Sequence, residues 1–194
     1  MKGSLDLQKD VDAIVVGASA GGVAALRELL GALPADFITP ILIVLHLPRD
    51  KSSLIADVLD RDCVLPVREA RDKQPIEQGT VMIAPPDYHM LVEDESTIAL
   101  SLDEPVLYSR PAIDPLFSSA AAAFSSRLLA ILLTGASADG SNGLGSVRRA
   151  GGTAWVQTPE DAVASMMPTS ALAYAGADAI LTLNEICQRI RSGV

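Results

Sequence analysis

The chain has 194 residues, 49% hydrophobic and 20% charged, a globular composition whose length fits one domain with a sizeable core. Its formal net charge of -9 lacks the surplus of Lys and Arg that a nucleic-acid or anionic-membrane binder needs. Only 4% of residues are aromatic while aliphatic side chains abound, which suits buried parallel strands covered by helices.

The opening stretch MKGSLDLQKDVD holds no apolar signal region, and the strongly apolar runs are too short to cross a bilayer, so the expected location is cytoplasmic. DAIVVGAS (12–19) reads as a buried strand. GGVAALRELLGAL (21–33) then puts Val23, Leu26, Leu29, Leu30 and Leu33 on one helical face. TPILIVLHLP (39–48) is a second buried strand, and SSLIADVLDRD (52–62) a helix capped by Ser52 or Ser53. Between 63 and 108 come four short strand-like runs, CVLPVREA, TVMIAPP, HMLVED and TIALSL, read together as a hairpin insertion. AIDPLFSSAAAAFSSR (112–127) predicts a helix with Asp114 as cap and Pro115 in the first turn. LLAILLTGAS (128–137) is the third buried strand, followed by a helix over about 140–150 and the strand GTAWVQ (152–157). Helical material over 159–176 is interrupted by Pro168, AILTL (179–183) is the last strand, and Asn184 caps a final helix to about 192. The alternation predicts an α/β fold, a doubly wound, mainly parallel sheet with a β-hairpin insertion. Cys63 and Cys187 sit in apolar-periodic segments and read as buried free thiols.

In open α/β sheets ligands bind beyond the carboxyl ends of the strands. Three strong strands end in Ser19, His46 and Asp139. A serine hydroxyl needs a base within hydrogen-bond reach, a histidine can take and return its proton, and a carboxylate fixes the imidazole tautomer. The chain has two histidines, so a histidine base is either His46 or His89. Each residue also has a structural reading: Ser19 as a helix cap, His46 as a satisfied structural histidine, Asp139 as a turn residue. Their joint occurrence at three strand ends favours the catalytic one.

The loop VVGASAGGVAAL also resembles a dinucleotide fingerprint. That pattern needs glycine where Ser19 stands and an acid at the end of the second strand, where His46 stands. No Gly-Lys-Ser/Thr follows either glycine loop, so no Walker site is expected. In the nucleophile reading Gly17 allows a sharp exit from the strand, and Gly21 and Gly22 let substrate approach the first helical turn. Backbone N–H groups at that helix start, and at Ala136 and Ser137 in GASADG, could face an oxyanion. The two histidines are 43 positions apart with no ligand spacing between them, and no metal site is expected.

VVGASAGGVAAL, LIVLHLP, VMIAPPDYHM, SRPAIDPLFSSAA, ILLTGASADGSNGL and VQTPEDAVASMMP occur in the order of the chemotaxis protein-glutamate methylesterase catalytic domain, the CheB type, which the chain resembles from about 11 to 190. The resemblance implies a single catalytic domain over 1–194 with a three-layer α/β/α sandwich. It implies hydrolysis of glutamyl γ-methyl esters on the cytoplasmic helices of chemoreceptors, with deamidation of particular receptor glutamines, and no cofactor or metal. It puts the triad on Ser19, His46 and Asp139, with Ala20, Ala136, Arg110 and Met167 as further oxyanion or substrate-side positions. His89 matches a family position and reads as structural or substrate-side. Full-length members usually carry an N-terminal receiver domain; about ten residues precede the first strand here, which fits either a stand-alone member or an excised domain, and no gating by a receiver of its own is expected. Members often have Thr where Ala20 stands and GMGNDG where this chain has GASADG. A stand-alone signalling or binding module, and a hydrolase of another ester or amide, are the competing functions.

Overall fold

The structure, a computed structural model, describes residues 6–7, 9–46 and 54–193. The expected caps Ser52 and Ser53 lie outside the described residues. Its elements in chain order are β1 (Ala13–Ala18), α1 (Gly22–Gly31), β2 (Ile41–Leu45), α2 (Ile55–Asp60), β3 (Val67–Glu69), β4 (Val81–Ile83), β5 (His89–Asp94), β6 (Thr97–Ser101), α3 (Ile113–Phe124), β7 (Leu128–Leu132), α4 (Ser141–Arg149), β8 (Thr153–Gln157), α5 (Met166–Tyr174), β9 (Ala179–Leu181) and α6 (Leu183–Ser192).

Seven strands form one sheet in the order β3-β4-β2-β1-β7-β8-β9, every neighbouring pair parallel. The central strands β1, β2 and β7 are buried at every position, as continuous aliphatic runs require when helices cover both faces. Alternate residues feed two separate cores. Ile14, Val16, Ile41, Ile43, Leu129 and Ile131 pack under Leu26, Leu30 and Ile186 from α1 and α6. Ala13, Val15, Leu42, Val44, Ala130 and Leu132 pack under Phe117, Leu144 and Ala171 from α3, α4 and α5. The result is the three-layer α/β/α sandwich expected.

Several expectations change in detail. Only residues 89–101 form a hairpin, and it stands apart from the main sheet as its own antiparallel pair. β3 and β4 instead extend the parallel sheet, because Val81 and Ile83 can bury against β2 while Val67 pairs at the outer edge. The hairpin packs Met90, Val92 and Ile98 into the α3 layer, and Val92 N donates to Ser119 Oγ at 3.0 Å. Asp114 does not cap its own helix: Ala112 holds the N-cap position, and Asp114 reaches across to α4. Asn184 does not cap α6 either. Thr182 does, in a reciprocal capping box with Glu185. Pro168 falls in the first turn of α5, where its missing N–H has no intrahelical partner to lose, so it ends nothing; residues 159–165 form turns and bends without helix. Gly17 makes no sharp exit: it pairs within β1, and a Cβ there would lie 2.6 Å from Ile113 Cγ2. Its lack of a side chain brings the start of α3 against the middle of the sheet.

Candidate active site

β1 is the centre of the sheet, and its neighbours β2 and β7 place the three strand-end residues together. Ala18 pairs with Leu45, so Ser19 and His46 are the next residues on adjacent parallel strands. Ala18 and Leu45 both face the α1 core. The pleat therefore turns the residues after them toward the α3 layer. On the other side Ser19 N donates to Thr134 O at 2.9 Å, just past the end of β7.

Ser19 does not cap α1. Gly21 holds that position with φ 78°, and no side chain accepts there. A Cβ on Gly21 would also fall 2.7 Å from Val163 Cβ, so glycine is required twice over. Ser19 keeps its hydroxyl uncommitted: among the described residues it makes no side-chain hydrogen bond. Ala20 and Ala136 are both exposed, and neither backbone N–H has an acceptor among the described residues. Both glycine loops at this end of the sheet thus carry N–H groups without an acceptor among the described residues.

His46 and Asp139 are joined directly, with His46 Nε2 2.7 Å from Asp139 Oδ2. An ionised carboxylate only accepts, so Nε2 carries the proton and Nδ1 keeps the lone pair. Ser109 Oγ lies 3.5 Å from that Nδ1. No hydrogen bond joins Ser19 to the ring here; unliganded sites often hold such contacts long until substrate binds.

Asp139 is 0% exposed, yet every lone pair is used. Oδ2 accepts from Ile113 N at 2.6 Å as well as from His46, and Oδ1 accepts from Asp114 N at 3.0 Å and Gly140 N at 2.8 Å. Asp139 therefore supplies the cap that α3 lacks from its own sequence, where the helix dipole favours negative charge. Asp114 returns the favour to α4, accepting from Gly143 N at 2.7 Å and Asn142 Nδ2 at 3.1 Å. Burial pushes the Asp114 carboxyl above the usual carboxylate range, and the nearby Asp139 charge adds to that, while the Gly143 N–H opposes it.

The remaining expected residues take supporting positions. His89 is buried, accepting from Ala112 N through Nδ1 at 3.2 Å and lying 3.1 Å from Glu104 O through Nε2, which fixes it as a structural, neutral ring. The Arg110 guanidinium is spent on two neighbouring loops, donating twice to Asp87 Oδ1 before β5 and also to Leu102 O and Asp103 O in its own loop. Met167 is fully buried behind the Gly135 loop, its N–H donating to Gly135 O at 2.8 Å. Three residues now in the site drew no attention as sequence. Ser109 sits after the left-handed pair Leu107 and Tyr108, a turn with no glycine or asparagine to announce it. Thr134 and Gln157 are buried polar groups at strand ends, a pattern that aliphatic periodicity hides. Among the described residues no group of three His, Cys, Asp or Glu side chains is arranged to hold a metal ion.

The family model described as CheB methylesterase matches residues 14–190. The chain belongs to the CheB methylesterase family. Its fold superimposes on the crystal structure of the Thermotoga maritima CheB methylesterase catalytic domain with a TM-score of 0.89 at 31% identity, over 95% of this chain and 99% of that one. A putative protein-glutamate methylesterase/protein-glutamine glutaminase from Leptospira interrogans is 39% identical over 91% of this chain and 92% of its own length. Protein-glutamate methylesterase/protein-glutamine glutaminase 2 of Caulobacter vibrioides is also 39% identical, over 97% of this chain but 56% of its own length. Against CheB relatives of that longer kind, the chain spans about half their length.

Proposed function

We propose that the chain is a serine hydrolase that removes methyl groups from glutamyl γ-methyl esters of chemoreceptor cytoplasmic helices, and deamidates receptor glutamines at the same site. The observation that carries this reading is the His46–Asp139 pair, which leaves the Nδ1 lone pair to accept a proton at the end of the strand next to an uncommitted Ser19, with the Ala20 and Ala136 N–H groups unpaired among the described residues. The names of the CheB relatives supply the substrate class. The exposed setting suits a protein substrate. Val163, 80% exposed, lies over Gly21, two residues after the serine, and offers an apolar side chain on which an amphipathic helix can rest. Such a partner places the reaction in the cytoplasm. No helix among the described residues is long and apolar enough to cross a membrane.

The chemistry runs through these groups in order. Ser19 Oγ attacks the ester carbonyl as its proton passes to His46 Nδ1, and the oxyanion meets the N–H groups of Ala20 and Ala136. Collapse breaks the C–O bond to the methoxy group, which takes the proton from Nδ1 and leaves as methanol. Water then gives a proton to Nδ1 and attacks the acyl-serine. Collapse of that second intermediate returns the proton from Nδ1 to Ser19 and frees the glutamic acid, which gives its remaining proton to solvent as the carboxylate. With a glutamine substrate the first leaving group is ammonia. Asp139 keeps the proton on Nε2 throughout and stabilises the imidazolium.

Ser19→Ala should lower methanol release from methylated receptor by roughly 10⁴-fold or more while the protein stays folded. Retained activity in that variant would end the reading. A fluorophosphonate probe separates an esterase from a binding module, since only an activated hydroxyl is labelled.

A further inference from the structure

We propose that Thr134 is the positioning residue that presets the oxyanion donors, a role that rests on the esterase reading above and deepens it. The donors themselves sit in soft backbone. Ser-Ala-Gly-Gly and Gly-Ala-Ser-Ala hold few side chains that could anchor them. An oxyanion site accelerates a reaction only if its N–H groups are already aimed when charge develops.

Thr134 is buried and uses every polar atom it has. Its carbonyl accepts from Ser19 N at 2.9 Å, and its hydroxyl donates to Ala20 O at 2.8 Å. Those two bonds hold the peptide groups on either side of the Ser19–Ala20 peptide. The carbonyl of that middle peptide, Ser19 O, accepts from Gly22 N at 2.7 Å. A planar trans peptide points its N–H opposite its C=O, so the Ala20 N–H is turned away from the helix. The same hydroxyl accepts from Ala164 N at 2.9 Å. Ala164 O in turn accepts from Gly135 N at 3.0 Å, at the residue before Ala136. One hydroxyl thus holds the peptide that follows the Ala20 N–H and, through Ala164, the Gly135 N–H in the peptide just before the Ala136 donor.

Thr134 is itself held. Its N–H donates to Gln157 Oε1 at 2.8 Å, and Gln157 Nε2 donates to Asp161 Oδ2 at 2.8 Å. Asp161 Oδ2 also accepts from Leu183 N at 2.8 Å. The hydroxyl is therefore fixed from the sheet outward. This arrangement explains a polar residue in an otherwise aliphatic strand end: valine would fill the same volume but leave Ala20 O and Ala164 N without partners.

Thr134→Val tests the role, with Thr134→Ser restoring the hydroxyl and Thr134→Cys offering a small, weakly bonding replacement should the valine variant not fold. Methanol release from methylated receptor gives kcat and KM, and the rate of Ser19 labelling by a fluorophosphonate gives a second readout with no receptor present. The expected result is a fall of roughly 10- to 100-fold in kcat and in labelling rate for Thr134→Val, an intermediate fall for Thr134→Cys, and KM within about twofold. Thr134→Ser should stay within about threefold of the parent. Unchanged kcat and labelling in the folded valine or cysteine variant would overturn the role of Thr134 alone. A loss confined to KM, or one that serine does not rescue, would do the same. Failure of the parent protein to label at Ser19 would overturn the esterase reading and this role with it.

Discussion

Asp139 Oδ2 lies 2.7 Å from His46 Nε2 and 2.6 Å from Ile113 N, so one oxygen serves both the imidazole and a helix terminus. Substitutions here should therefore behave unlike those at Ser19. Asp139→Asn turns an amide N–H₂ toward two donors, and the buried unsatisfied contact should cost about 1–3 kcal/mol in urea unfolding. It should also lower activity by roughly 10⁴-fold, because the tautomer is no longer set. Ser19→Ala, which breaks no side-chain hydrogen bond among the described residues, should change stability by less than about 0.5 kcal/mol. Equal unfolding midpoints for the two variants would show that Asp139 does not cap α3. The grouping of Ser19, His46 and Asp139 was legible in the sequence because neighbouring parallel strands bring the residues at their ends together. Ser109 and Thr134 were not, since their roles depend on what lies across the site rather than beside them in the chain.

α3 and α4 cap each other: Asp139, two residues before α4, bonds the first N–H groups of α3, and Asp114, in the first turn of α3, bonds Gly143 N in α4. Local patterns could not show this, because each acid lies more than 20 residues from the groups it caps. The sequence placed Asp114 at the right helix end but assigned it the wrong helix. The same limit explains β3, a strand of three residues with one buried side chain, which is defined by its pairing with β4. The long buried strands were legible because an aliphatic run of that length has few other uses. Asp114 gives this helix pair a pH signature. Its folded carboxyl titrates above the usual range, so the stability it contributes is fully present below the unfolded value and is lost as pH rises through the folded value. Asp114→Asn is neutral at every pH. The Tm of that variant minus that of the parent should grow as pH is raised from about 4 to about 7, and a flat difference would contradict the assignment.

Across the whole molecule the sheet separates two cores, and the cysteines sample the α1–α6 side. Cys187 in α6 belongs to that core, and Cys63 packs against it. Burial pushes the Cys187 thiol up to about 11 and raises Cys63 as well. Cys187 should therefore react with a disulfide reagent at about pH 8 only as fast as the layer opens, and within seconds in denaturant. Rapid reaction in the native protein would show that α6 detaches on its own. The shared caps carry a consequence for descent. On the proposed mechanism, a chain of this fold that lost its serine or histidine would lose a reaction, but one that lost the acid would also loosen the start of α3. Drift after catalysis is abandoned should erase Ser19 and His46 well before Asp139. The aspartate in a distant relative thus testifies to ancestry of the fold, and only the serine and histidine testify to a living enzyme.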